Sequence, residues 1–160
     1  NVIITSFQQY FKLVEYFSEF TKERMALAMG AQNLIQIFDE KYYRNLSGGI
    51  LEAFGKLFFK DLKVYMYPSH DPINKEYITS ENLKVHPRMK ELYKFFKNNG
   101  KVLDIKVTDK DILDIFSRKV LKKIIKGEDG WEQLLPEGIS DIIKQKRLFG
   151  YSRSRIKSKH

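Results

Sequence analysis

Three histidines, no cysteine and one cluster of aspartates are what this 160-residue chain offers to catalysis. The lack of cysteine excludes a disulfide framework, a zinc–thiolate site and a thiol nucleophile, and is compatible with a reducing compartment. His70 adjoins Asp71 in a polar stretch, an adjacent pair that fits a metal ligand or plain solvation. His86 precedes Pro87, and His160 is the last residue. Asp109, Asp111 and Asp114 lie close in sequence without the spacing of a calcium loop. No metal ligand set is therefore assigned. Ser117, followed by Arg118, either holds a phosphate or caps the helix that begins there. Gly30 either lets a nucleotide approach the backbone or ends a strand. Tyr42 and Tyr43 can stack bases, but with 14% aromatics most rings must serve a core. Trp131, just before Leu134-Leu135-Pro136, is expected to be a packing anchor.

The elements that must position these residues follow from apolar spacing. Ser6 is placed to cap a first helix, with Phe7, Tyr10, Phe11, Val14 and Phe17 on one face. Met25–Met29 is a continuous apolar run that suits a buried parallel strand. A short helix is expected over Asn33–Phe38, then a break at Gly48-Gly49 and a helix over Ile50–Phe59. Leu62–Tyr67 reads as a second strand and Val102–Val107 as a third. Between them, residues 68–87 show no period and read as an irregular insertion. Pro87 sits where a helix with Met89, Leu92, Tyr93 and Phe96 can begin, and Asn98-Asn99-Gly100 ends it. A helix over Ser117–Lys126 is closed by Gly127, and Pro136 opens a last one with Ile139, Ile142 and Ile143 turned inward. Strands separated by helices imply right-handed crossovers and a mostly parallel sheet.

Charge is concentrated at one end. The net charge is +9, and Lys144, Lys146, Arg147, Arg153, Arg155, Lys157 and Lys159 contribute seven with no acidic residue among them. Such a stretch fits nucleic acid, an acidic partner, an anionic surface, or a solvated end. The chain lacks the run of about 18 apolar residues that crosses a bilayer, so no membrane span is expected. It begins at Asn1, which leaves the compartment open, a mitochondrial assembly being one reading.

Two stretches share their order and spacing with a known family. The first is Met25-Ala26-Leu27-Ala28-Met29-Gly30-Ala31-Gln32-Asn33-Leu34, followed by Phe38. The second is Ile115-Phe116-Ser117-Arg118-Lys119-Val120-Leu121, then Gly127, Leu134-Leu135-Pro136, Ile139 to Ile143 and Leu148-Phe149-Gly150. They resemble the C-terminal half of the nicotinamide/nicotinate mononucleotide adenylyltransferases, which carry Gly-Ala-Asp-Asn-Leu after an apolar strand. Later that family has Ile-Ser-Ser-Thr-x-Ile-Arg, a glycine, Leu-Val-Pro and Leu-Tyr-Gly. Lys41-Tyr42-Tyr43 stands near the family's Trp-Lys. The resemblance covers nearly the whole chain, up to Gly150.

That resemblance implies an α/β, Rossmann-like three-layer nucleotidyltransferase fold with a mostly parallel sheet over residues 1–150, followed by a basic tail, 151–160. It implies that the N-terminal strand-helix unit bearing His-x-Gly-His is absent from this chain. The family transfers an adenylyl group from ATP to a mononucleotide in NAD biosynthesis, releasing pyrophosphate. By resemblance the nucleotide-binding positions are Gly30, Gln32, Asn33, Ser117 and Arg118. Gln32 replaces the family's Asp, Phe116 and Arg118 replace Ser and Thr, and Leu121 replaces the phosphate-binding Arg. Losing that Arg removes a cation and a bidentate donor.

The expected function is therefore a structural or docking subunit, a pseudoenzyme with no catalytic residue of its own and no required cofactor. The alternative is part of an active adenylyltransferase using ATP and Mg, whose His-x-Gly-His half is missing from this chain or separate. A third reading is an RNA-associated module. A second polypeptide such as another subunit, or an earlier part of this one, is expected against the sheet beside Met25–Met29. The tail from Tyr151 on, with Arg153, Arg155, Lys157 and Lys159, is expected to leave the core for an acidic or phosphate-bearing surface.

Overall fold

A computed structural model describes residues 2–71, 73–108 and 111–152. The chain forms two compact units, residues 1–107 and 108–160. The first is α/β. Its helices are α1 (Tyr10–Phe20), α2 (Ala31–Ile37), α3 (Gly49–Leu57) and α4 (Lys90–Asn98), and its strands are β1 (Ala26–Gly30), β2 (Lys63–Tyr67), β3 (Ser69–His70), β4 (Tyr77–Ile78) and β5 (Val102–Asp104). The expected parallel sheet forms in the order β1-β2-β5, with Leu27 opposite Val64, Met29 opposite Met66 and Val64 opposite Val102.

This sheet is packed on one face. Directly paired residues share a face, so Leu27, Met29, Val64, Met66 and Val102 point the same way, and these are the strand residues that enter the core. Leu34, Ile37 and Phe38 from the α2 segment, Phe54 and Leu57 from α3, and Tyr93 from α4 meet them. Phe38 is 1% exposed and sits edge-on to Phe54 and Tyr93 at 4.9 and 5.1 Å. On the opposite face Ala26 and Ala28 are exposed, and Tyr65, Tyr67 and Leu103 are half-buried. Parallel sheets ordinarily bury both faces. Among the described residues no strand pairs with the outer edge of β1.

Three local expectations change. The first helix starts at Tyr10, not after Ser6. Gln9 is extended and its side-chain Nε2 donates to Tyr42 O at 2.7 Å, which holds the entry open and leaves Phe7 outside the helix and partly exposed. The third strand is three residues long, Val102–Asp104, with Ile105 N still donating to Met66 O at 2.8 Å, and the Asp104 carboxylate accepts from Ser80 N at 2.8 Å and Ser80 Oγ at 2.7 Å. The insertion over 68–87 is not wholly irregular, since β3 and β4 pair antiparallel. Asp71 makes their turn by accepting from Ile73 N and Asn74 N at 2.8 and 3.1 Å.

The second unit holds α5 (Ser117–Lys126) and α6 (Ile139–Lys146) around Val120, Ile124, Trp131, Ile143 and Tyr151. Gly127 ends α5 in the left-handed region at φ 68°, with Glu128 N donating to Lys123 O at 3.0 Å. Trp131 is 2% exposed, the anchor the sequence suggests. Ile143 points inward, but Ile139 and Ile142 are exposed, a correction to the expected inward stripe. Tyr151 is also a correction. It packs edge-on to Trp131 at 5.9 Å and is buried, so the chain has not left this core at that residue.

Candidate functional site

The positions singled out by resemblance fall in both units. Gly30, Gln32 and Asn33 lie at the β1–α2 junction of the first, and Ser117 and Arg118 open α5 in the second. Gly30 is extended at φ −79°, and a Cβ built on it meets nothing within 4 Å, so neither strain nor crowding demands glycine there. It caps α2 through backbone alone, and Gln32 and Asn33 present exposed amides. Ser117 does not cap its helix. Phe116 occupies the cap position in extended conformation, its carbonyl accepting from Lys119 N and Val120 N at 2.8 and 3.1 Å. Lys119 Nζ lies 4.7 Å from the Phe116 ring centroid, a cation–π contact. Arg153, Arg155, Lys157 and Lys159 lie outside the described residues.

Ser117 and Arg118 stand at one end of an apolar groove of about 470 Å³. Ile115, Leu121, Ile124, Leu135, Ile139 and Phe149 form its walls. Leu121, where the resemblance calls for a phosphate-binding Arg, is 39% exposed into it, and Phe149 is 60% exposed. The groove offers a single guanidinium and a single hydroxyl at its rim and hydrocarbon elsewhere. That composition leaves apolar surface open to solvent and supplies too few cations and donors to neutralise a triphosphate.

A second concavity, of about 700 Å³, lies in the first unit. Its wall carries Lys41, Arg44, Lys84 and Arg88 against Asp39 and Glu40, over a floor that includes Ile35, Phe38 and Met89. Asp39 is held below the ordinary carboxylate range by the Lys41 ammonium 2.6 Å away. His86 Nδ1 accepts from Arg88 N at 3.4 Å, so a neutral ring carries its proton on Nε2. The sequence gives no warning of this wall, because its cations come from two distant segments, Lys41 with Arg44 and Lys84 with Arg88, and follow no period.

The other candidates have structural duties. Asp71, beside His70, is lowered in pKa by the backbone donors of its own turn, and His70 rests on Tyr77 with centroids 5.8 Å apart. No group of three or more His, Asp or Glu is gathered to hold a metal among the described residues. Tyr43 is core, its hydroxyl donating to Ile37 O at 2.8 Å, while Tyr42 is partly exposed with Lys41 Nζ 4.8 Å from its ring. No helix among the described residues is long and apolar enough to cross a membrane. No family model matches the chain, and neither a curated protein nor a solved structure matches it.

Proposed function

We propose that this chain is a nucleotidyltransferase-like protein that acts as a docking subunit of a larger assembly and performs no adenylyl transfer itself. The reading is carried by the surroundings of Leu121. At the position where the resemblance requires a cation for phosphate, an aliphatic side chain opens into an apolar groove with Ile115, Ile139 and Phe149. Phosphoryl and nucleotidyl transfer depend on cations and donors that hold phosphates in line. The groove supplies a hydrophobic seat in their place. Gln32 supports the same reading, since an amide cannot supply the charge of the family's Asp.

The test is chromatographic. The full chain is incubated with ATP, Mg²⁺ and nicotinamide mononucleotide, and dinucleotide is measured against a buffer blank. The expected result is none above the blank. Dinucleotide formation that disappears in Ser117→Ala would overturn the proposal.

A further inference from the structure

The basic concavity of the first unit has no part in the docking reading. None of its residues lines the apolar groove, and Gly30, Gln32 and Asn33 do not line it. Its cations stand on two short segments that the core holds in place. Arg44 follows Tyr43, which is buried and donates its hydroxyl to Ile37 O at 2.8 Å. Arg88 precedes Met89, which is buried and whose N–H donates to His86 O at 2.8 Å. Lys41 is already taken by Asp39 at 2.6 Å. Arg44, Lys84 and Arg88 are exposed at the opening and form no ion pair among the described residues. Lys84 lies within electrostatic reach of Asp71 but does not pair with it. Four cations against two carboxylates leave the lining with a net charge of +2, His86 being neutral.

We infer that this concavity binds a small hydroxyl-bearing phosphate monoester, of the sugar-phosphate class. A phosphate monoester carries about two negative charges at pH 7, which matches the excess of the lining. Arg44 and Arg88 supply planar forks that fit its oxygens two at a time, and Lys84 supplies a point charge. His86, with Nδ1 taken by Arg88 N, presents Nε2–H as a further donor. Glu40 and the free lone pairs of Asp39 accept from hydroxyls of the body, which the half-buried Ile35 and Val85 support from below. The volume of about 700 Å³ lies within the range of about 300–1,000 Å³ that small-molecule sites occupy. The same carboxylates argue against a polyanion. A nucleic-acid strand brings further phosphates past Asp39 and Glu40 in the same wall, whereas one terminal phosphate sits among Arg44, Lys84 and Arg88 alone.

The experiment titrates glucose 6-phosphate, ribose 5-phosphate and glycerol 3-phosphate separately into the full chain by calorimetry. Glucose, glucose 6-sulfate and inorganic phosphate serve as comparisons. At least one monoester is expected to bind, glucose is expected to give no heat, and the singly charged sulfate and bare phosphate are expected to bind more weakly. Arg44→Ala and Arg88→Ala should each weaken the monoester at least about tenfold with far-UV circular dichroism unchanged. Arg88→Lys should fall between Arg88→Ala and the wild type, since it keeps the charge and loses the fork. Arg118→Ala, in the second unit, should change nothing. No heat from any of the three monoesters up to about 10 mM overturns the inference. So does binding that Arg44→Ala and Arg88→Ala leave undiminished, or inorganic phosphate binding as tightly as the best monoester. Tighter binding of single-stranded RNA or of a Glu-rich peptide, lost in the same two variants, overturns it in favour of a polymer or a protein partner. None of these outcomes touches the docking reading, which stands or falls on the dinucleotide assay.

Discussion

Tyr43 and Tyr93 each aim a buried hydroxyl at a backbone carbonyl, Ile37 O at 2.8 Å and Ser80 O at 2.6 Å. The second bond belongs to a polar knot in which Asp104 holds Ser80 from the other side, tying the inserted segment to the end of β5. Tyr93→Phe leaves a buried carbonyl without its donor and should cost about 1–2 kcal/mol, read as a lower urea midpoint at constant slope. Tyr43 adds a pH signature. Burial pushes its phenol from 10.0 up to about 12, so the folded state holds a proton that the unfolded state releases. Its contribution is fully present below pH 10 and is lost as pH rises towards about 12. Urea midpoints measured from pH 9 to 12 should therefore fall more steeply in the wild type than in Tyr43→Phe. Equal slopes would show that the shift has no effect on stability.

At the scale of elements, α2 shows how a seven-residue helix persists. Its helix propensity is too short-ranged to hold it in isolation. Leu34, Ile37 and the following Phe38 are buried against β1, β2, α3 and α4, and Phe38 touches three other rings. Phe38→Ala should cost about 3–5 kcal/mol, the range for emptying an aromatic site in a core. A midpoint shift under 1 kcal/mol would mean that the cluster closes over the cavity. In α5 the decisive residue is Gly127, whose φ of 68° places any Cβ in a strained region. Gly127→Ala should lower stability by about 1 kcal/mol without altering helix content, checked by thermal melting followed by circular dichroism.

The whole molecule has two cores of unequal size. Among the described residues nineteen buried ones gather in the core of the first unit and five in that of the second, and burial is the main favourable term against chain entropy. The second unit should open first. Hydrogen exchange is expected to show α5 and α6 amides exchanging well before those of β2, and equal protection would contradict that order. Charge adds a second property at this scale. Removing residues 153–160 deletes four cations, taking the net charge from +9 to +5 with histidine neutral. Binding to single-stranded RNA should then weaken, with its salt dependence shallower by up to about three ions. An unchanged slope would place the contact on the body of the protein.

What the sequence determined alone was whatever depends on neighbours within a few residues. The apolar runs at Met25–Met29 and Leu62–Tyr67 became paired parallel strands, Pro87 and Gly100 bracket the α4 segment, and Gly127 closes α5, because strand period, proline φ and left-handed glycine are local properties. Trp131 belongs here too, since an indole so large is seldom left in solvent. The tertiary structure decided everything that needs two distant segments to meet. Gln9 reaching Tyr42 moved the start of α1, and Asp104 reaching Ser80 tied the inserted segment to the end of β5. Arg44 and Arg88 share a wall only after the chain has folded. Ile139 and Ile142 carry the same apolar spacing as Ile143, yet they face the groove and solvent. Periodicity marks a helix face but is blind to whether another element stands opposite it, and the lack of one leaves Leu121, Ile139 and Phe149 lining an open apolar groove and not a core.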